Sequence, residues 1–237
     1  MGRTFAELDA RSTPIGELRL RRRRLAGLGV EVYEIKLGDE YLMSSLFTES
    51  ERALGEFGVA AAAGETLDVV VGGLGLGYTA EAVLRSPRVR SLLVIEALEA
   101  VIGWHRDGLL PLGRELTCDD RCRIVHGDFF ALAASDGGFD PREPGRQADA
   151  ILVDIDHSPD QWLAPANESF YRPEGLRRAA GHLKPAGVFG LWSNDPPDPR
   201  FIRRLASVFT EARAEPVTFH NPLQDREHTQ SVYLARR

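Results

Sequence analysis

Cysteine is nearly absent: Cys118 and Cys122 are the only two in 237 residues. Spaced C-x-x-x-C with no second pair, they supply neither a zinc ligand set nor a disulfide framework. They read as two ordinary reduced thiols, and no metal is expected. Long apolar runs are missing as well. Nothing approaches the roughly 20 residues of a membrane span, and no signal peptide opens the chain. Positive charge is in the minority, 29 Lys and Arg against 35 Asp and Glu, for a net charge of −6. Nonspecific nucleic-acid binding by the whole surface is therefore not expected. There is no internal repeat. What remains is ordinary, 43% hydrophobic and 27% charged, the composition of a soluble, cytoplasmic protein that buries its own core.

Two regions differ in pattern. Residues 1–48 hold short extended runs at Glu17–Arg24, Val30–Lys36 and Glu40–Ser45, separated by Gly27–Gly29 and Gly38–Asp39. That spacing predicts a small β-hairpin or three-stranded sheet. Within it, Arg19–Arg24 (RLRRRR) reads as a solvated face or as a contact for phosphate or an acidic partner. Thr48 with Glu51 three residues on has the form of a capping box, opening a helix through about Ala63. Residues 49–237 then alternate strand and helix. Strands are expected at 67–72, 91–96, 122–126, 149–154, 187–192, 214–220 and 230–235. Helices are expected at Ala80–Arg85, Ala97–Arg106, Pro173–His182 and Arg200–Ala212. Near-continuous apolar strands between helices imply a parallel sheet covered on both faces. Only Asn221–His228 separates the last two strands, too short for a crossover helix, so the final strand should run antiparallel. A mostly parallel seven-stranded sheet with a reversed last strand is the Rossmann-like plan of the class I S-adenosylmethionine-dependent methyltransferase fold.

The chemistry concentrates at the ends of these strands. LDVVVGGLGLGYT, Leu67–Thr79, is a buried strand that breaks into Gly73, Gly75 and Gly77 and runs into a helix. Glycines there let the backbone approach a nucleotide, and Glu96, about 20 residues on, can accept both ribose hydroxyls. Asp128 and Phe129 follow the third strand in HGDF, where a carboxylate can accept from an adenine amino group beside an aromatic cover. Asp154 ends the fourth strand, with Asp156 and His157 on the loop beyond (ILVDIDHSPD). A carboxylate at that point can take a proton from an attacking amine or favour a cationic sulfonium. Asp156 and His157 suit the same work, or the capping of the following helix. Trp162 reads either as a lid over an acceptor or as core.

Together GGLGLG, VIEA, HGDFF, VDIDHSP and ESFYRPEGLRRAAGHLKPAGVFGLWS resemble, in order and spacing, the spermidine synthases (polyamine aminopropyltransferases) over about residues 67–213. The resemblance implies S-adenosylmethionine or its decarboxylated form as donor, with Glu96 on the ribose, Asp128 on the adenine and Asp154 deprotonating an amine acceptor. It also allows a homodimer joined through the N-terminal hairpin.

Three departures qualify that implication. The family usually carries an aspartate at Gly75, where it holds the aminopropyl end of the donor. The loop after Asp154 is one residue longer, so the second loop aspartate is shifted to Asp156 or replaced by His157. The polyamine-binding tyrosine-histidine-glutamate stretch has no counterpart in Thr48–Glu56. The leading expectation is a spermidine synthase-like transferase that alkylates an amine. The alternatives are a methyltransferase on the same scaffold and a non-catalytic nucleoside-binding relative. Formation of methylthioadenosine rather than S-adenosylhomocysteine as product separates the first two.

Overall fold

The computed structural model describes residues 5–237; residues 1–4 of the expected 1–48 region lie outside the described residues. The chain opens with an antiparallel sheet of β1 (Phe5–Thr13), β2 (Gly16–Leu25), β3 (Val30–Leu37) and β4 (Glu40–Ser44), paired in sequence order. The sheet has one strand more than the sequence predicts, because FAELDARST lacks a clean apolar alternation. Leu18, Leu20 and Ile35 turn inward and join the same buried cluster as the central strands, so this sheet packs onto the main body. The arginines of β2 pair with acids on their own and on neighbouring strands. Arg19 bonds Glu7 and Glu17 at 3.3 and 3.1 Å, and Arg23 bonds Glu34 at 2.7 Å. These pairs favour the solvated-face reading of the arginine run.

The main body follows as α1 (Glu49–Ala61), β5 (Leu67–Gly72), α2 (Tyr78–Leu84), β6 (Val89–Glu96), α3 (Glu99–Arg106), α4 (Gly113–Cys118), β7 (Cys122–His126), α5 (Phe129–Ala134), β8 (Ala148–Val153), α6 (Pro173–Gly181), β9 (Leu183–Ser193), α7 (Pro199–Ala206), β10 (Glu211–Asn221) and β11 (Arg226–Arg236), with a 3-10 turn at Pro165–Tyr171 between β8 and α6. Its seven strands lie in the order β10-β11-β9-β8-β5-β6-β7. Six point the same way, five of them joined in parallel pairs, while β11 runs antiparallel to both β9 and β10. This is the expected reversed strand, inserted through a short turn. Successive residues of β5 enter opposite cores: Val69 and Val71 pack beneath α1 and α2, and Val70 packs with α6 and α7 on the other face. That two-sided burial is why the strand reads as an unbroken apolar run.

Two local expectations are corrected. The helix expected over Arg200–Ala212 stops at Ala206, and β10 begins at Glu211. Phe201 and Leu205 give it one helical face, after which EARAEPVTF alternates as a strand, with Pro216 tolerated on the sheet edge. Thr48 makes no side-chain cap, and its own N–H bonds Glu49 instead at 2.9 Å. Glu51 takes no part in a capping box because its carboxyl turns inward, to Ser50. Among the described residues no helix is long and apolar enough to cross a membrane. Cys122 is half-buried, and burial pushes its thiol up to about 12, which leaves it unreactive.

Candidate active site

The strand order reverses between β5 and β8, the point at which open α/β sheets leave a crevice at the carboxyl ends of their strands. A cavity of about 240 Å³ lies there, lined by Gly73, Gly75, Glu96, Asp128, Phe129, Asp154 and His157 among others. Seven of the nine residues singled out from sequence therefore share one space. The remaining two are Gly77 and Asp156.

The glycine turn brings the chain close to that space. Gly73 has φ +91°, and a Cβ there would fall 2.0 Å from the Asp154 carbonyl oxygen. Only glycine lets the end of β5 lie against the end of β8. Gly75 has φ +49°, and its side-chain space is taken by Met43, whose Sδ lies 2.7 Å from where a Cβ would stand. The position at which the resembled family carries an acid is thus filled by a thioether from β4. Gly77 starts α2 at φ +95° and packs beneath the turn, against Leu116 and His105. His105 is fully buried, and its Nε2 lies 2.8 Å from the Gly75 carbonyl, holding the turn from behind. Burial lowers its pKa, which suits a neutral ring donating from Nε2.

Glu96 is anchored by two backbone donors, the N–H groups of Leu74 at 3.0 Å and Leu98 at 2.8 Å. Burial raises its pKa and these bonds oppose the rise. Asp128 caps α5, its Oδ1 accepting from Phe130 N at 2.9 Å and Ala131 N at 3.2 Å. Its Oδ2 has no protein partner among the described residues. Phe129 lines the wall from within the core, stacked on Phe139 with centroids 4.9 Å apart, while Phe130 is less buried.

The loop after β8 divides its polar residues. Asp154 remains in the cavity, with Oδ2 accepting from the Thr79 hydroxyl at 2.6 Å. Burial pushes its carboxyl up to about 6, opposed by the Thr79 bond. Asp156 turns the other way and is 3% exposed. Its oxygens accept from Leu163 N at 2.7 Å, from Asn167 Nδ2 at 3.0 and 3.1 Å, and from Tyr171 OH at 2.8 Å. It ties the loop to the 3-10 turn. His157 faces the cavity, with Nε2 3.2 Å from Glu40 on β4. Trp162 folds onto its own loop, donating to Pro159 O at 2.9 Å.

Sequence reading misses the residues that close the cavity from the N-terminal sheet: Ile15, Ile35, Leu42 and Met43. An apolar residue on a strand gives no sign of which neighbour it will cover. It also misses the carboxyl behind Asp154. Glu51 on α1 is pushed up to about 8, first by burial and then by the charge of Asp154. Its spacing from Thr48 gave it a capping role that masked this one.

No protein-family model matches the chain. Solved structures do resemble it. A spermidine synthase in complex with the transition-state analogue AdoDATO matches with a TM-score of 0.73 at 18% identity, covering 97% of this chain and 73% of that one. A spermidine synthase from Thermotoga maritima gives 0.70 at 18% identity, over 97% of this chain and 72% of its own. A probable spermidine synthase from Corynebacterium glutamicum gives 0.62 at 16%, over 96% and 79%. At such identities the likeness is one of fold. The chain therefore has a spermidine synthase-like fold, a Rossmann-like sheet with one reversed strand and an antiparallel sheet before it.

Proposed function

We propose that the protein is a transferase that binds an S-adenosylmethionine-type donor and alkylates an amine, with Asp154 as the proton acceptor. The observation that carries this reading is Asp154 itself. It is a carboxylate in the cavity at the strand-order reversal, raised to about 6, with one oxygen held by Thr79 and the other without a partner among the described residues. A base whose pKa lies near neutrality is matched to deprotonating an amine. Glu96 suits the donor ribose, the glycine turn its backbone-facing side, and Asp128 Oδ2 the adenine amino group. The neighbour that holds AdoDATO supports a donor of this chemical class.

In the proposed reaction the amine loses one proton to Asp154. Its nitrogen lone pair forms a bond to the carbon on the sulfonium. The C–S bond breaks, and its electron pair stays on sulfur as a neutral thioether. Protein groups contribute position and a compensating negative charge. His157 is assigned to the cavity mouth and Asp156 to holding the loop. Pairing of two copies through the N-terminal sheet remains part of the proposal.

One observation favours methyl transfer as a second reading. Met43 occupies the space of an acid at Gly75, so nothing there repels a donor that keeps its own carboxylate. Side-by-side calorimetric titration with S-adenosylmethionine, its decarboxylated form and methylthioadenosine tests both readings. Preference for the decarboxylated donor supports aminopropyl transfer, and methylthioadenosine should then appear as product. Preference for S-adenosylmethionine, with S-adenosylhomocysteine as product, moves the assignment to methyl transfer. Binding without turnover across an amine panel supports a non-catalytic relative. No binding by any of the three ends the cofactor assignment.

A further inference from the structure

The hydroxyl of Thr79 stands between two acceptors. It lies 2.6 Å from Asp154 Oδ2 and 3.1 Å from the backbone carbonyl of Glu51. Thr79 is 2% exposed, so no water competes for its single proton. When Asp154 is charged, that proton belongs to Oδ2. This holds one carboxylate oxygen and leaves Oδ1, which has no partner among the described residues and is not sealed from solvent, for the cavity. Should Asp154 carry a proton on Oδ2, that group can donate to Thr79, and Thr79 can turn its own proton to Glu51 O. Both states are satisfied without movement of heavy atoms.

A second proton count sits directly behind. The fully buried Ser50 hydroxyl receives a bond from Trp192 Nε1 at 2.8 Å. It faces two oxygens, Gln230 Oε1 at 2.5 Å and Glu51 Oε2 at 2.9 Å. The Gln230 amide is oriented by donating from Nε2 to Asn194 Oδ1 at 2.8 Å. Ser50 has one proton for two acceptors, so the network closes if Glu51 is a neutral acid that donates to Ser50 while Ser50 donates to Gln230.

We propose that Thr79 and Glu51 are positioning residues for Asp154: Thr79 grips one carboxylate oxygen so that the other is presented to the acceptor, and Glu51, held as a neutral acid, keeps a second negative charge away from it. The catalytic sense of this proposal rests on Asp154 as proton acceptor; the hydrogen-bond arrangement does not. Other charged groups around the pair are committed elsewhere. On α1 and α2, Arg52 and Arg85 pair with Glu81, and Arg52 also lies over the Tyr78 ring. Glu49 bonds the Thr48 N–H, His157 faces Glu40, and Glu96 is held by Leu74 and Leu98. Among the described residues neither Glu51 nor Asp154 has a cation within ion-pair distance.

Carbon-detected NMR titration of Asp side-chain carboxyls in the full chain without donor tests this directly, with Asp154→Asn identifying the resonance. Wild type should titrate near the raised value of about 6. Thr79→Val, of nearly equal volume, should raise the midpoint by about one pH unit, and Thr79→Ser should restore it. An unmoved midpoint in Thr79→Val, or a Thr79→Ser midpoint as high as that of the valine variant, overturns the role of Thr79. Glu51→Gln can still donate to Ser50, so it should leave the Asp154 midpoint within about 0.3 pH unit of wild type. A fall of more than about half a unit means that Glu51 was charged, and overturns its half of the proposal. Should these shifts appear while Asp154→Asn turns over normally, the grip stands and only the proton-acceptor reading falls.

Discussion

The two ends of the seven-stranded sheet hold carboxylates, buried at one end and half-buried at the other, and treat them in opposite ways. At the amino ends of the strands, Asp68 is bonded by Arg90 at 2.5 Å, Arg146 at 2.9 Å, Lys184 at 3.0 Å and Ser91 at 2.9 Å. Burial alone would raise its pKa, but the bonds from Arg90, Lys184 and Ser91 outweigh it and hold the carboxyl well below the usual range. At the carboxyl ends, Glu51 and Asp154 are raised, to about 8 and about 6, and burial leads the causes of both shifts. The same residue type in the same sheet is thus a structural anion at one end and, at the other, a raised carboxyl without a cation, to which the proposed function assigns the base. The difference lies in the supply of partners.

The comparison can be broken at its strongest point first. Asp154→Asn should lower turnover by about 10²–10⁴-fold while donor affinity, read by calorimetry, changes only a few-fold. Unchanged turnover would remove the poised base from the proposal.

Asp68→Asn probes the other end. It should cost about 2 kcal/mol of stability in denaturant titration, at the low end for a buried ion network because Arg90 is 61% exposed. Donor affinity of the folded variant should not change. A loss of affinity there would mean that the two ends are coupled.

Gly75→Asp adds an acid to the unpaired end. The tip of Met43 must move aside and the backbone there is left-handed, at φ +49°, so the single variant should be destabilised by about 1–2 kcal/mol. Combined with Met43→Ala it should lose the steric part of that cost, keep the backbone part, and shift donor preference toward the decarboxylated form. Calorimetry on the double variant with both donors reads the shift.

The smallest effect is on pH dependence. For a carboxyl raised in the fold, the folded state holds its proton longer than the unfolded chain. Stability from Glu51 and Asp154 is therefore fully present below the usual carboxyl range and falls as pH rises through about 6 and about 8. Asp68 acts in the opposite sense, adding stability above its own low range and losing it only in strong acid. Melting temperatures at pH 5 and pH 8 should fall less between the two in Glu51→Gln than in wild type. An equal or steeper fall would contradict a raised Glu51.

Much of this molecule was legible before folding. The run LDVVVGGLGLG carries its own strand, turn and close approach, because burial on both faces requires the apolar residues and contact with Asp154 requires Gly73. Asn221–His228 was legible as a reversal from length alone. Other features were not. Asp128, Asp154 and Asp156 are alike as letters, yet one caps a helix at the cavity wall, one stands in the cavity bonded to Thr79 and one ties down a loop. Glu51 lies 103 positions from Asp154 in sequence and feels its charge only because α1 packs against β8.

The sequence by itself determined the parallel sheet, its late reversal and the strand ends at which the site would lie, since these follow from local periodicity and from glycine and loop length. Only the tertiary structure decided which carboxylates would have cations beside them, which side chain would fill the space at Gly75, and that Thr79 would reach Asp154. Charge, burial and hydrogen-bond partners come from residues far apart in the chain, and no local pattern records that distance.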